Sequence, residues 1–166
     1  MTMKDRETQM YESLNYNIEE CEYEGQSADE EWECFVCEIT GDCLDAFTDA
    51  DWDRLHRELP TKSAIWKRRL ISCMIDTPDP EVNLRQVRAL IAMADTDDEA
   101  VFAYAVGTLC DFDLNGAEGI QALVERARAM TPCAEKHHQM LIDLFLNKVA
   151  RDGSQAADIS ANGTKP

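Results

Sequence analysis

Asp79-Pro80-Glu81-Val82-Asn83-Leu84-Arg85-Gln86-Val87-Arg88-Ala89-Leu90-Ile91-Ala92-Met93-Ala94 is the stretch on which the fold turns. Leu84, Val87, Ile91 and Ala94 recur at intervals of three and four, and Leu90 widens the stripe. That is one apolar face of a helix over 81–94. Asp79 can accept a hydrogen bond from a free helix-end N–H, and Pro80 lacks the N–H that would go unpaired at the first position.

Working outward, Thr96-Asp97-Asp98-Glu99 has a capping-box pattern and opens a helix with Val101, Phe102, Ala105, Val106 and Leu109 on its buried face. Asn115-Gly116-Ala117-Glu118 opens the next, with Ile120, Leu123, Val124, Ala127 and Met130 in register. Thr131-Pro132 opens the last. There Leu141, Ile142, Leu144, Phe145 and Leu146 are apolar nearly all round, which predicts a sandwiched helix. Upstream, Ser63 to Ile75 places Trp66, Leu70, Cys73 and Met74 on one face. Helices this close, joined this briefly, predict an all-α fold, an antiparallel helical stack or irregular bundle.

The front of the chain is less regular. Residues 4–25 read as a helix ending near Tyr16 and then an extended acidic linker. Ser27 to Thr40 reads as a helix through Trp32, Phe35, Val36 and Ile39, ended by Gly41. Thr48-Asp49-Ala50-Asp51 caps a short helix bearing Trp52 and Leu55 and stopped by Pro60. Past Arg151 the chain is small and polar, which predicts disorder over 151–166. The expected organisation is one domain over 1–150, made of an acidic N-terminal segment over 1–60 and a helical stack over 61–150.

Charge divides the chain the same way. Of the net −17, residues 1–60 hold 18 Asp and Glu against 4 Lys and Arg, a net of −14. Direct nucleic-acid binding needs clustered Lys and Arg and is not expected. A basic protein, or the nucleic-acid site of one, is the better electrostatic match. No run of about 18 apolar residues occurs, so no membrane span is expected. Met1 to Met10 is charged and without an apolar stretch, and the seven cysteines read as reduced thiols, which together predict a cytoplasmic protein.

Catalytic text is missing: there is no Gly-rich phosphate loop, no Gly-x-Ser-x-Gly and no His-Glu-x-x-His. Cys34-Phe35-Val36-Cys37 supplies two of the four ligands zinc wants, but Cys21 and Cys43 flank it irregularly and the pair lies in a helical pattern. His137 and His138 point about 100° apart on a helix and cannot chelate one ion together. The reading is therefore no enzyme, no metal and no cofactor.

Asp76-Thr77-Pro78-Asp79-Pro80-Glu81-Val82 resembles the inter-helix turn of a HEAT-type repeat, in which an acidic, Pro-containing turn precedes a Val that starts the second helix. Asp97-Asp98-Glu99-Ala100-Val101, with Ala105 and Leu109, resembles a second half-repeat 19 residues on from Thr77 to Thr96. Asn83 and Phe102 stand where that family commonly has a basic residue. In size, acidity and helix pattern the chain is also similar in build to bacterial toxin-immunity proteins, a likeness that implies binding and blocking a basic toxin or nuclease. The expected function is thus a non-enzymatic inhibitor of immunity type. The alternatives are a nucleic-acid mimic that blocks a defence enzyme and a helical interaction scaffold. The expected partner-binding residues are Asp29, Glu30, Glu31, Trp32, Glu33, Glu38, Asp42, Asp45, Asp49, Asp51, Trp52 and Asp53.

Overall fold

The computed structural model describes residues 9–21 and 32–162, with the side chains of 34, 35 and 154–162 left aside. Among them lie eight α-helices and no strand: α1 Gln9–Glu20, α2 Cys37–Asp45, α3 Asp49–Glu58, α4 Ala64–Cys73, α5 Pro80–Met93, α6 Glu99–Leu109, α7 Ile120–Met130 and α8 Lys136–Asn162. A π-helical turn, Trp32–Val36, leads into α2, and a 3-10 turn, Leu59–Thr61, follows α3. None of the described helices is long and apolar enough to cross a membrane.

Packing follows an alternation along the chain. The even helices α2, α4, α6 and α8 each touch the next of that series, and α1, α3 and α5 do the same. α6 is the hub, packed by α4, α5 and α8. Its Val101, Phe102, Ala103, Ala105, Val106 and Leu109 are all fully buried. Gly107 lets α8 come close: a Cβ there would lie 2.8 Å from Leu141 Cδ2 and 3.2 Å from its Cβ.

The 81–94 stretch is helical, as its spacing predicts, but the buried face is turned toward Met93: Leu84 is 43 % exposed and Ile91 only half-buried. Asp79 accepts from the N–H groups of Glu81 and Val82, Pro80 is the first helical residue, and Val87, Leu90 and Met93 are buried. Asn83 closes the preceding turn, accepting from Thr77 N–H at 2.8 Å and donating to the Thr77 carbonyl. Gln86, also buried, donates to the Ile75 carbonyl at 3.0 Å. The Thr48–Asp51 box closes in both directions.

Several boundaries differ from the sequence reading. α1 runs past Tyr16 to Glu20 because Ile18 and Cys21 are buried. Gly41 lies inside α2, where burial of Cys43 and Leu44 beyond it offsets the ~1 kcal/mol that glycine costs a helix. The π turn winds more slowly than an α-helix, so Ile39 drops out of phase with Trp32 and is 57 % exposed.

The N-cap of α6 is Asp98, which accepts from Val101 N–H, while Thr96 accepts from Asp98 N–H in the turn before it. α7 starts only at Ile120, since Gly116 and Gly119 take positive φ and hold the segment in turns. α8 starts at Lys136, not at Pro132. The carboxylate of Glu99, from α6, accepts from the N–H groups of Ala134 and Glu135 and caps it from across the fold. α8 is one-sided: Ile142 and Phe145 are buried, whereas Met140 and Leu144 are half exposed. Its backbone is helical through 151–162, and the Lys148–Asp152 pair at 3.4 Å bridges the junction. Residues 163–166 lie outside the described residues.

Candidate functional site

Two features stand out on the folded chain, an acidic face and a cleft. The acidic face belongs to α2. Glu38, Asp42 and Asp45 follow one another at four and three residues and are all exposed. Exposed Ile39 sits beside them. None of the three carboxylates has an ion-pair partner among the described residues. Carboxylates on neighbouring helices do: Glu12 and Glu58 meet Arg54, Glu19 meets Lys62, and Asp49 meets Arg85. Asp53 is exposed on α3, and Glu33 is exposed at the π turn.

Trp32, Asp51 and Trp52 do not belong to that face. They were expected to dock a partner, but they are 2 %, 1 % and 3 % exposed and pack inside the fold. Trp52 meets Phe47 edge-on at 5.1 Å, in the core. Asp51 uses both oxygens inside the protein. Oδ2 accepts from Thr48 N–H at 2.9 Å and from the Thr48 hydroxyl at 2.7 Å, and Oδ1 accepts from Tyr11 N–H at 3.0 Å. One carboxylate thereby caps the N-terminal ends of α3 and α1 together. Asp29, Glu30 and Glu31 fall outside the described residues.

The cleft, of about 590 Å³, lies between the π turn, α4 and α6 and is lined by Trp32, Cys37, Ile65, Arg69, Ser72 and Tyr104, among others. That volume is in the range of small-ligand sites. Trp32 is fixed in its wall: the indole N–H donates to Ser72 Oγ at 2.7 Å, and the Arg69 guanidinium stands 5.5 Å from the ring centre.

Cys37, the first residue of α2, is half-buried in the same wall, and its Sγ lies 3.6 Å from Sγ of Cys73 at the end of α4. The Cys37 S–H donates to the Ser72 carbonyl at 3.4 Å, and the Cys73 S–H to the Arg69 carbonyl at 3.3 Å. Periodicity identified Cys73 as a member of the α4 core face, and the Cys-x-x-Cys spacing singled out Cys37. Nothing in their separation of 36 residues signals that they meet. Among the described residues no three His, Cys, Asp or Glu side chains are grouped to hold a metal ion.

The Cys37 thiol is lowered from its ordinary 9.0 to about 6. The main cause is the Cys73 S–H, which can turn to donate to an ionised Cys37 sulfur; Ser72 and the Arg69 charge add to it, while burial and Glu33 oppose it. Cys73 moves the other way, since burial disfavours its thiolate. Alkylation of Cys37 by iodoacetamide is accordingly expected to reach half its maximal rate near pH 6. Cys73→Ala removes the donor and is expected to move that midpoint up toward the ordinary thiol value. A midpoint unaffected by Cys73→Ala, read by peptide mass spectrometry, would contradict the assignment.

Comparison with protein-family models, curated proteins and solved structures finds no match to this chain.

Proposed function

We propose that this chain is a non-enzymatic binding protein of inhibitor or immunity type that captures a basic protein partner through the outer face of α2. The observation that carries this reading is the stripe Glu38–Asp42–Asp45 around exposed Ile39, left without ion-pair partners among the described residues while Glu12, Glu19, Asp49 and Glu58 on other helices have them. Uncompensated carboxylates in a row repel one another, and a cationic surface relieves that repulsion on docking. An apolar side chain set among them gives the contact a dry anchor.

The surrounding architecture is consistent with it. Two series of helices stacked side by side, as in the HEAT-like repeats that the turns resemble, hold a face rigid and limit the ordering cost of binding. The same stacking supports a second reading, a helical interaction scaffold, which predicts contacts that do not depend on charge.

Charge reversal separates them. Glu38, Asp42 and Asp45 are exposed helical positions, so Lys at all three is expected to leave the helical circular dichroism unchanged. In affinity capture, the wild-type chain is expected to retain a basic protein at ~50 mM salt and release it at ~500 mM, since exposed charges are screened within a few ångströms at high salt. The triple variant is expected to associate at least about tenfold more slowly. A captured partner that is neutral or acidic, or an unchanged association rate, would overturn the reading.

A further inference from the structure

We propose that Cys37 and Cys73 form a peroxide-reactive dithiol site, in which Cys37 is the residue oxidised first and Cys73 resolves it into a disulfide joining α2 to α4. This stands apart from the α2 acidic face and does not depend on it.

Placement carries the proposal. The two sulfurs belong to different helices, come from opposite helix ends and already stand 3.6 Å apart. A disulfide needs a further approach of about 1.5 Å, within reach of side-chain rotation at two helix ends. The two thiols also differ in access. Cys37 lines the cleft wall, beside Arg69 and Ser72, whereas Cys73 lies behind it and is 4 % exposed. A small oxidant entering the cleft reaches Cys37 and not Cys73.

Cys110 and Cys133 are the natural comparison. Both are half-buried, as Cys37 is, yet their thiols donate to main-chain carbonyls of their own chain segments, Val106 and Met130. Burial pushes both of those thiols up, so they stay protonated where Cys37 ionises. The thiolate is the nucleophile toward peroxide, which makes Cys37 the favoured target.

The chemistry closes without any group beyond the peroxide. The Cys37 thiolate attacks one oxygen of hydrogen peroxide, the O–O bond breaks, and the departing hydroxide takes up the Cys37 proton as water. The sulfur has lost two electrons and is a sulfenic acid. The Cys73 sulfur then attacks the Cys37 sulfur, the S–O bond breaks, and the hydroxide leaves with the Cys73 proton as a second water. Two thiols and one peroxide give one disulfide and two waters.

The test uses the full, reduced chain. It is treated at neutral pH with hydrogen peroxide at about one equivalent, quenched with N-ethylmaleimide and mapped by mass spectrometry. The expected product has lost two hydrogens in a Cys37–Cys73 link that dithiothreitol reverses. Cys37 is consumed at least about tenfold faster than Cys110 or Cys133. In Cys73→Ser, dimedone is expected to trap a sulfenic acid on Cys37, and Cys37→Ser is expected to give neither link nor adduct. Cys34→Ser is expected to leave the link intact. A link from Cys37 to Cys34 or Cys43 would overturn the proposal, as would oxidation of Cys37 no faster than that of Cys110. The wild-type map and the Cys34→Ser map decide the matter even where a Cys73 variant fails to fold.

Discussion

Replacing Asp51 by alanine is expected to destabilise the protein by about 2–4 kcal/mol, because the buried Tyr11 N–H loses its acceptor at ~1–3 kcal/mol and the part-buried cap made with Thr48 goes with it. The donors are the N–H groups of Tyr11 and Thr48, at 3.0 and 2.9 Å from the carboxylate. They belong to two helices 37 residues apart in the chain, Thr48 at the start of α3 and Tyr11 in the first turn of α1. Water cannot replace the carboxylate easily, since Asp51 is 1 % exposed.

Asparagine keeps one acceptor oxygen and turns an N–H₂ toward the other donor, so Asp51→Asn is expected to fall between alanine and the wild type. Asp53→Ala, two residues on and exposed, is expected to stay within ~0.5 kcal/mol of the wild type. Urea midpoints at constant m-value measure all three. Equal midpoints for Asp51→Ala and Asp53→Ala would show that Asp51 does not support the fold, and would return it to the acidic surface.

Asp51 also shows where reading the sequence succeeds and where it stops. Thr48-Asp49-Ala50-Asp51 is local text, and a capping box is a local interaction, so the start of α3 was legible. A box acid and a surface acid look alike in sequence, however. What decides between them is the Tyr11 N–H, forty residues away. Asp51 was therefore expected in the docking face along with its exposed neighbours. The helices themselves were legible wherever apolar residues repeat over several turns, as at Val87, Leu90 and Ala94 or at Trp66, Leu70 and Cys73, because burial of one face is what writes that period.

The remaining differences share a cause. Glu99 caps α8 from α6, Cys37 meets Cys73 from another helix, and Asn83 closes a turn six residues behind it with its side chain. Each depends on a single polar side chain reaching a group outside its own helix, and no periodicity marks that. The π turn before α2 is a further case: it changes the phase of the helix without changing its composition, so Ile39 was placed inside and stands outside. As for the acidic stripe, the sequence showed the charge surplus, and the fold shows which carboxylates have no ion-pair partner among the described residues.

Phe102→Ala is expected to cost about 3–5 kcal/mol, the usual range for truncating a buried phenylalanine to alanine, or roughly two to four powers of ten in the unfolding equilibrium. Phe102 is fully buried in α6, the helix that α4, α5 and α8 all pack against, with the Arg126 guanidinium 5.7 Å from its ring. A cavity at the hub cannot be closed by shifting one neighbour without opening a gap against another. Leu144→Ala, on the half-exposed side of α8, is expected to change stability by less than ~1 kcal/mol, because little of its surface is withdrawn from water. The placement of the tryptophans makes Phe102→Ala a test of cooperativity as well. Trp32, Trp52 and Trp66 all lie in the first half of the fold, in the π turn, α3 and α4, whereas the lesion is in α6. If the even helices form one continuous stack, fluorescence from that half and circular dichroism from the whole chain will move to lower urea together. Fluorescence holding at the wild-type midpoint while half the helical signal melts early would mean that α6 does not couple the two halves.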